Sequence, residues 1–142
     1  MKKALFIVFL ILSCTTKNNS DNINSKVETL ISKMSLKEKI GQMAQINLTV
    51  IAKGPDKWSS YEPLELDIEK TKKAILEYKV GSILNTTNNQ ARSPEVWNKT
   101  INQLQKIAID ESELKIPIIY GIDGIHGATY TAGATMFPQQ IG

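Results

Sequence analysis

Three short apolar segments, separated by stretches with helical periodicity, constrain the fold of this chain more than any other feature. They cover 45–50, 80–85 and 116–123, with the sequences QINLTV, VGSILN and IPIIYGID. They are rich in residues that favour strands and have few of the alternating polar positions typical of a sheet with one wet face. The order strand, helix, strand, helix, strand therefore predicts a parallel α/β sheet whose strands are covered on both faces.

Four stretches with helical periodicity surround these segments. Two begin with a serine followed three residues later by glutamate, at Ser25 and Ser35, which is the spacing of a capping box. The third is predicted over 67–78 with Asp67 as its N-cap, and the fourth begins at Ser93 with proline at the first helical position. The apolar positions predicted to face the core are Val27, Leu30, Ile31 and Met34 in the first helix, Leu36, Ile40, Met43 and Ala44 in the second, Ile68, Ile75 and Tyr78 in the third, and Trp97, Ile101, Leu104 and Ala108 in the fourth.

The start of the chain, MKKALFIVFLILSC, has the form of an export signal. Two lysines precede an apolar run that is too short to span a hydrocarbon core of about 30 Å as a permanent helix. The stretch ILSC resembles the lipobox of bacterial lipoproteins, in which cleavage occurs before the cysteine and its thiol is lipidated. We therefore expect a signal peptide over 1–13, lipidation of Cys14, a flexible tether over 14–24 and a folded domain over 25–142. An ordinary signal peptide or an uncleaved anchor is the alternative.

Charge and composition exclude several classes of function. The 142 residues carry a formal net charge of +3, and removing Lys2 and Lys3 from the 17 basic residues leaves 15 against 14 acidic ones. A chain this close to neutrality lacks the clustered basic face that nucleic-acid binding needs. One cysteine and one histidine cannot supply the three or four ligands of a zinc site. We expect no metal, no cofactor and no nucleic-acid partner.

Asp123 is the last residue of the third apolar segment, and His126 follows three residues later among glycines. Ligand sites of parallel α/β folds form at the carboxyl ends of the strands, so Asp123 is predicted to lie at that edge. A carboxylate accepts several hydrogen bonds, which suits the vicinal hydroxyls of a sugar. The alternative is that Asp123 caps a following helix. His126 is interpreted as a hydrogen-bonded structural residue rather than as a ligand or base.

A loop over 52–63 contains two aromatic residues, Trp58 and Tyr61, among glycine, proline and serine. Their rings either pack on neighbouring side chains of a surface loop or stack on sugars. Packing on neighbours is the more common role of aromatic residues in such a loop.

Four blocks of the sequence resemble the start of the family 3 glycoside hydrolases, the β-glucosidase group. They are MSLKEKIGQMAQI, VGSILN, IPIIYGIDGIHG and GATMFPQQIG, in the order and approximate spacing of that family. The resemblance covers residues 25–142, and its final block is the most specific. The GID form is similar to the β-glucosidase branch, because the GIDxEGG pattern of the N-acetylhexosaminidase branch is absent. Gly124 stands where the family often has alanine.

The resemblance implies a fold and a substrate. The fold is the N-terminal portion of a (β/α)8 barrel of the TIM type, incomplete in this chain, whereas the residues alone fit an open doubly wound sheet equally well. The activity is exo-acting removal of terminal non-reducing β-D-glucosyl residues with retention of configuration. Asp123 matches the family's aspartate that binds hydroxyls of the terminal sugar. The expected partners are β-linked glucosides or oligosaccharides and a membrane, reached by the lipid of an exported protein of the periplasm or outer membrane.

Retaining hydrolysis needs two carboxyl groups about 5–5.5 Å apart. The resemblance places the nucleophile later in the barrel and the acid/base usually in the next domain, so no catalytic residue is predicted within these residues. The chain is interpreted as the N-terminal fragment of a longer enzyme and is expected to be inactive alone. One alternative is a non-catalytic sugar-binding lipoprotein with a barrel scaffold, and another is a short envelope anchor that ends at Gly142.

Overall fold

The computed structural model of the chain describes residues 19–138. The predicted signal peptide over 1–13, Cys14 and residues 139–142 lie outside this range. The chain divides into two compact units, Met1–Ser32 and Lys33–Gly142. Within the described range, no helix combines the length and the apolar character needed to cross a bilayer.

The described residues of the first unit, 19–32, all lie in helix α1, Asn19–Lys33. The predicted N-cap at Ser25 is wrong, because Ser25 lies inside the helix and its carbonyl accepts a hydrogen bond from Thr29 Oγ1 at 2.7 Å. The tether predicted over 14–24 is therefore helical from Asn19. Extending a helix that has already nucleated costs little free energy per residue. The polar residues 19–24 therefore continue the helix formed by the apolar-patterned residues that follow them in the chain.

Helix α2, Leu36–Gln42, opens the second unit with the predicted capping box. Glu38 N donates to Ser35 Oγ at 3.2 Å, and Ser35 N donates to Glu38 Oε2 at 2.9 Å. These bonds satisfy two amides that the first turn leaves free, and they hold the pKa of Glu38 below its ordinary value.

The apolar face predicted for α2 is wrong. Leu36, Ile40 and Met43 are 74%, 55% and 80% exposed, whereas the buried position of the helix is Gly41. A Cβ atom on Gly41 would lie 2.5 Å from the carbonyl oxygen of Lys79, so the close approach of two backbones decides which side of this helix packs.

Three parallel strands form one sheet in the order β1-β2-β3: β1 is Gln45–Asn47, β2 is Ser82–Leu84 and β3 is Ile119–Gly121. Asn47 pairs with Leu84, and Leu84 pairs with Gly121, so the three strands end at the same level. This confirms the predicted parallel α/β sheet. A closed barrel remains a prediction.

The first strand is shorter than predicted, because the chain turns into a 3-10 helix at Leu48–Val50. The Oδ1 atom of Asn47 accepts hydrogen bonds from the backbone N of Thr49 at 3.0 Å and from its hydroxyl at 2.9 Å. This asparagine caps the turn and ends the strand although the following residues favour extended structure.

Helix α3, Ile68–Lys72, and helix α4, Pro94–Lys106, connect the strands, and each continues into a π-helical turn, at Lys73–Glu77 and Ile107–Glu111. Both predicted caps are confirmed. Asp67 Oδ1 accepts from Lys70 N at 3.1 Å, and Ser93 accepts from Val96 N at 3.4 Å. The end of α3 differs from the prediction, because Tyr78 is 53% exposed while Ile75 is buried.

The predicted inner positions of α4 are confirmed and belong to one core cluster. Its buried members are Leu48, Ile51, Ala52, Leu64, Leu66, Ala74, Ile75, Val80, Ile83, Trp97, Leu104, Ile107, Ala108 and Ile118. Ile83, on the central strand, is completely buried, and the Trp97 ring packs edge-on against Tyr120 with centroids 5.7 Å apart.

The strands are not covered on both faces by the described residues, contrary to the prediction. Gln45 and Ile119 are exposed, and Ile119 has 70% of its surface accessible. Side chains of α4 and of the π-helical turns after α3 and α4 pack in the core on the face that carries Ile83, and the described residues of the second unit leave the opposite face open.

Removing the buried side chain of Leu104 should destabilise this core. We expect Leu104→Ala to lower the free energy of unfolding by about 3 kcal/mol, because it removes apolar contacts and leaves a cavity. The measurement is urea unfolding of the full-length protein, followed by circular dichroism. The matched control is Leu36→Ala, at a position 74% exposed, which should change stability by less than about 0.5 kcal/mol. Equal losses in the two variants would contradict the assigned core.

Candidate active site

Each of the three strands has a polar side chain at its carboxyl end. Asn47 is the last residue of β1, Asn85 directly follows β2, and Asp123 lies two residues after the end of β3. Asn85 Nδ2 donates a hydrogen bond to Asp123 Oδ2 at 2.9 Å, which joins the ends of β2 and β3 directly. Asp123 is exposed, and its other carboxylate oxygen accepts no hydrogen bond from residues 19–138. The edge therefore presents a fixed carboxylate to solvent at the place where α/β folds bind ligands.

Asn85 is held by its neighbours on the third strand. Its backbone N donates to Gly121 O at 2.8 Å, and its carbonyl accepts from the hydroxyl of Tyr120 at 2.6 Å. Burial raises the pKa of Tyr120, so this hydroxyl stays protonated as a donor. Asn85 itself adopts a φ of 71°, a left-handed backbone conformation that asparagine tolerates better than most residues.

The Oδ1 atom of Asn85 is buried and has no hydrogen-bond donor among the described residues. A buried acceptor left without a donor costs about 1–3 kcal/mol. Stability alone therefore does not explain why this amide oxygen is buried without a donor. A place in a binding site would explain it.

The alternative role of Asp123 as a helix cap is wrong for the described chain. The segment after it forms turns, with Gly127 N donating to Gly124 O at 3.0 Å, and contains no helix up to residue 138. His126 takes part in these turns: its Nδ1 atom lies 3.1 Å from the carbonyl oxygen of Phe137, which receives its proton. This contact agrees with the structural interpretation of His126.

A cleft of about 300 Å³ opens beside this edge. Six of its nine lining residues are asparagines or threonines, and the others are a valine, a lysine and a tryptophan: Asn47, Thr49, Val50, Lys57, Trp58, Asn85, Thr86, Asn88 and Asn89. Asn85 belongs both to the cleft and to the contact with Asp123, so the two are continuous. A larger and shallower depression of about 740 Å³, lined mainly by lysines and glutamates such as Lys70 and Glu77, contains none of the residues at the strand ends.

The β1–α3 loop, residues 51–67, is fixed to the β2–α4 loop, residues 85–93, by a buried arginine. Arg92 is 6% exposed and donates to both carboxylate oxygens of Glu62, at 2.5 and 2.7 Å. It also donates to the hydroxyl of Thr87 at 2.7 Å. The guanidinium beside Glu62 holds the pKa of that carboxyl below its ordinary value.

Asn88 adds a second attachment between the same two loops. Its Oδ1 atom accepts from Ser60 N at 3.0 Å, and its Nδ2 atom donates to Ser60 O at 2.9 Å. The same Nδ2 donates to Glu62 Oε1 at 2.8 Å. The β1–α3 loop is therefore an anchored segment, although the sequence describes it only as a loop.

Sequence reasoning found Asp123 and missed Asn47, Asn85 and the pair formed by Arg92 and Glu62. A signal for Asn85 was present, because Asn85 ends the second apolar segment as Asp123 ends the third. No local signal identifies the pair, whose members are 30 residues apart. Within residues 19–138, no three His, Cys, Asp or Glu side chains lie close enough to hold a metal ion.

Comparison with known proteins shows to which family the chain belongs. Residues 35–142 match the family described as glycosyl hydrolase family 3 N terminal domain. A protein named lysosomal beta glucosidase, from Dictyostelium discoideum, is 37% identical over 139 positions that cover 87% of this chain and 16% of that protein. A protein named periplasmic beta-glucosidase, from Salmonella typhimurium, is 32% identical over 116 positions, 82% of this chain and 12% of that protein.

The chain therefore belongs to glycosyl hydrolase family 3, and the resemblance stated from its motifs is confirmed. The match of residues 35–142 is to the family's N-terminal domain. The chain spans 16% and 12% of the length of the two relatives.

Neutralising Glu62 should weaken the attachment of the two loops. We expect Glu62→Gln to lower the free energy of unfolding at pH 7 by about 2–3 kcal/mol, because it leaves the buried charge of Arg92 without a counter-charge. The value is below that of a fully buried pair since the Glu62 side chain is 39% exposed. The folded-state pKa of Glu62 is below its ordinary 4.5, so the pair stabilises the protein fully above pH 4.5 and progressively less as the pH falls through the folded-state pKa.

Urea unfolding between pH 3 and 7 measures this effect, and the variant should lose less stability on acidification than the wild type. The matched control is Glu65→Gln in the same loop, whose ion pair with Lys53 lies at the surface and should contribute little. A Glu65→Gln loss as large as that of Glu62→Gln would contradict the anchoring role of the buried pair.

Proposed function

We propose that the protein containing this chain is an exo-acting β-glucosidase that hydrolyses terminal non-reducing β-D-glucosyl residues. Family membership supports glycoside hydrolysis, and the names of the two relatives support β-glucosides as the substrate class. The observation that carries the proposal is the carboxylate of Asp123, which is exposed at the carboxyl edge of the sheet with one oxygen bonded to Asn85.

Asp123 is proposed to bind hydroxyls of the terminal sugar. The bond from Asn85 Nδ2 at 2.9 Å uses one carboxylate oxygen and fixes the plane of the group. The remaining lone pairs accept hydrogen bonds from neighbouring hydroxyls, which a carboxylate does better than a neutral acceptor because the bonds are charge-assisted. Asn85 then acts as a positioning residue that holds Asp123.

The sheet is proposed to form part of a (β/α)8 barrel. The three parallel strands end in register, and α4 and the π-helical turns after α3 and α4 pack on one face, as at the outer face of a barrel wall. The opposite face, with Gln45 and Ile119 exposed, corresponds to the barrel interior. A barrel places the active site at the carboxyl ends of its strands, where Asp123 lies.

The two catalytic carboxylates of a retaining mechanism are proposed to lie beyond these residues. Such a mechanism needs a nucleophile and an acid/base about 5–5.5 Å apart. Within the described range, the cleft that contains Asn85 is lined by asparagine, threonine, valine, lysine and tryptophan residues, without a carboxylate. This chain then contributes to substrate binding, and the bond cleavage is carried out by groups elsewhere in the protein.

Replacement of Asp123 should impair catalysis without unfolding the protein. We expect Asp123→Ala to lower kcat/KM for an aryl β-glucoside more than tenfold, because each charge-assisted hydrogen bond contributes about 1.5–3 kcal/mol. Steady-state kinetics of the full-length protein measures the effect, and its melting temperature shows that the fold is intact.

The matched control is Asp110→Ala, at an exposed aspartate on the π-helical turn after α4, which should keep kcat/KM within twofold of the wild type. Wild-type kinetics in Asp123→Ala would remove Asp123 from the substrate site. A wild-type protein that binds β-glucosides and hydrolyses none would favour the non-catalytic sugar-binding alternative.

The protein is further proposed to be exported and anchored by lipid at Cys14. The support is the order of two lysines, an apolar run and the stretch ILSC, together with a relative named as periplasmic. Each buried CH₂ of an acyl chain adds about 0.8 kcal/mol of membrane affinity, so a multiply acylated cysteine holds a protein at the membrane.

Replacing Cys14 tests the anchor. We expect Cys14→Ser, expressed in a Gram-negative host, to move the protein from the membrane fraction to the soluble fraction and to remove an acyl mass from it, because the thiol is the site of lipid attachment. Ser13→Ala is the matched control, since it keeps a small residue before the cysteine and should stay in the membrane fraction. Unchanged fractionation and mass in Cys14→Ser would show that no lipid is attached there.

A further inference from the structure

Residues 122–130, the Asp123 loop, follow β3 as a series of turns. Most of these residues are exposed, and two of them are glycines, so the loop has few packed side chains to restrict its backbone. Its pairing with Phe137, through His126, is with a residue that is itself 55% exposed. The position of the loop therefore depends on how its two ends are held.

The far end of the Asp123 loop, Tyr130, is held by buried residues at the start of α4. Trp97 Nε1 donates a hydrogen bond to Tyr130 O at 3.0 Å, and Arg92 N donates to the same carbonyl at 2.8 Å. Ala132 N donates in turn to Arg92 O at 2.8 Å, which completes a short parallel bridge. Trp97 and Arg92 are 8% and 6% exposed, so both donors belong to the packed part of the structure.

The same tryptophan contacts the near end of the Asp123 loop. The Trp97 ring packs edge-on against Tyr120, with centroids 5.7 Å apart. The hydroxyl of Tyr120 donates to Asn85 O at 2.6 Å, and Asn85 Nδ2 donates to Asp123 Oδ2 at 2.9 Å. Trp97 is thus connected to the carboxylate from the strand side as well as to the end of the loop at Tyr130.

The acceptor of the indole distinguishes this contact from ordinary core packing. A buried indole usually finds an acceptor for its N–H group, so a hydrogen bond from Trp97 is expected on stability grounds alone. Here the acceptor is the carbonyl of Tyr130, which already receives Arg92 N and uses its second lone pair for the indole. The bond is therefore a second attachment of a loop end that the backbone bridge already holds.

We propose that Trp97 is a positioning residue of the active site, which places the Asp123 carboxylate by holding both ends of the Asp123 loop. This inference rests on the proposed function, because it takes Asp123 as the contact of the terminal sugar. Trp97 acts on the sugar only through Asp123. Loosening the loop weakens the hydrogen bonds of the carboxylate to the sugar, since such bonds depend steeply on distance and angle.

A double-mutant cycle in the full-length protein tests whether Trp97 acts through Asp123. We expect Trp97→Phe, which removes the indole N–H and keeps an aromatic ring, to lower kcat/KM for an aryl β-glucoside about tenfold. In the Asp123→Ala background the same substitution should change kcat/KM by less than about twofold, because the group that it positions is absent. Tyr120→Phe, which removes only a hydroxyl, should show the same dependence on Asp123. Equal falls in the two backgrounds overturn the proposal.

Leu104→Ala is the matched control, because Leu104 lies on the same helix and in the same core cluster as Trp97. It should lower the stability of the protein and leave kcat/KM of the folded protein within about twofold of the wild type. A fall in kcat/KM as large as that of Trp97→Phe would mean that any weakening of the core impairs activity, and the specific role of Trp97 would be wrong.

Hydrogen exchange separates failure of the loop attachment from failure of the proposed enzyme. Amides of residues 122–130, followed by mass spectrometry in the full-length protein, should exchange about tenfold faster in Trp97→Phe than in the wild type or Leu104→Ala. Unchanged exchange in Trp97→Phe overturns the attachment whatever the activity. If the wild type hydrolyses no β-glucoside, or Asp123→Ala keeps full activity, the proposed function is wrong; faster exchange then supports the attachment, and its role in catalysis is overturned.

Discussion

The in-register pairing of three parallel strands is the constraint on which the rest of the structure depends. Because Asn47, Leu84 and Gly121 are paired across the sheet, the residues that follow each strand meet at one edge. A shift of one residue would separate Asn85 from Asp123 and turn the buried Ile83 to the other face of the sheet. Hydrophobic burial on the helix-covered face thus fixes the geometry of polar groups that take no part in the core.

The polar groups of this edge are supported by contacts that are partly buried. Arg92 and Glu62 tie the β1–α3 loop to the β2–α4 loop, and the hydroxyl of Tyr120 holds the backbone of Asn85. The loops can therefore keep exposed amides and an exposed indole in fixed positions. Groups fixed in this way bind a ligand without first losing conformational entropy of their own, which favours the proposed role of this edge.

Much of the fold followed from local patterns. The parallel sheet, the capping box at Ser35 and the caps at Asp67 and Ser93 were predicted correctly, since each rests on interactions between residues close in sequence. The predictions that failed concern which side of an element is buried. Helix α2 packs through Gly41 instead of its apolar stripe, because backbone contacts with Lys79 cannot be read from the periodicity of one helix.

By itself the sequence determined the family, the order of the elements and the position of Asp123 after the third strand, because motifs and hydrophobic periods are properties of contiguous residues. Only the tertiary structure decided that Asn85 holds Asp123 and that Arg92 anchors the loop that carries Trp58. It also decided that Asn85 and Trp58 line the same cleft. Those contacts join residues 30 or more apart in the chain. They arise from the register of the sheet and the crossing of loops at its edge, for which no single segment carries a signal.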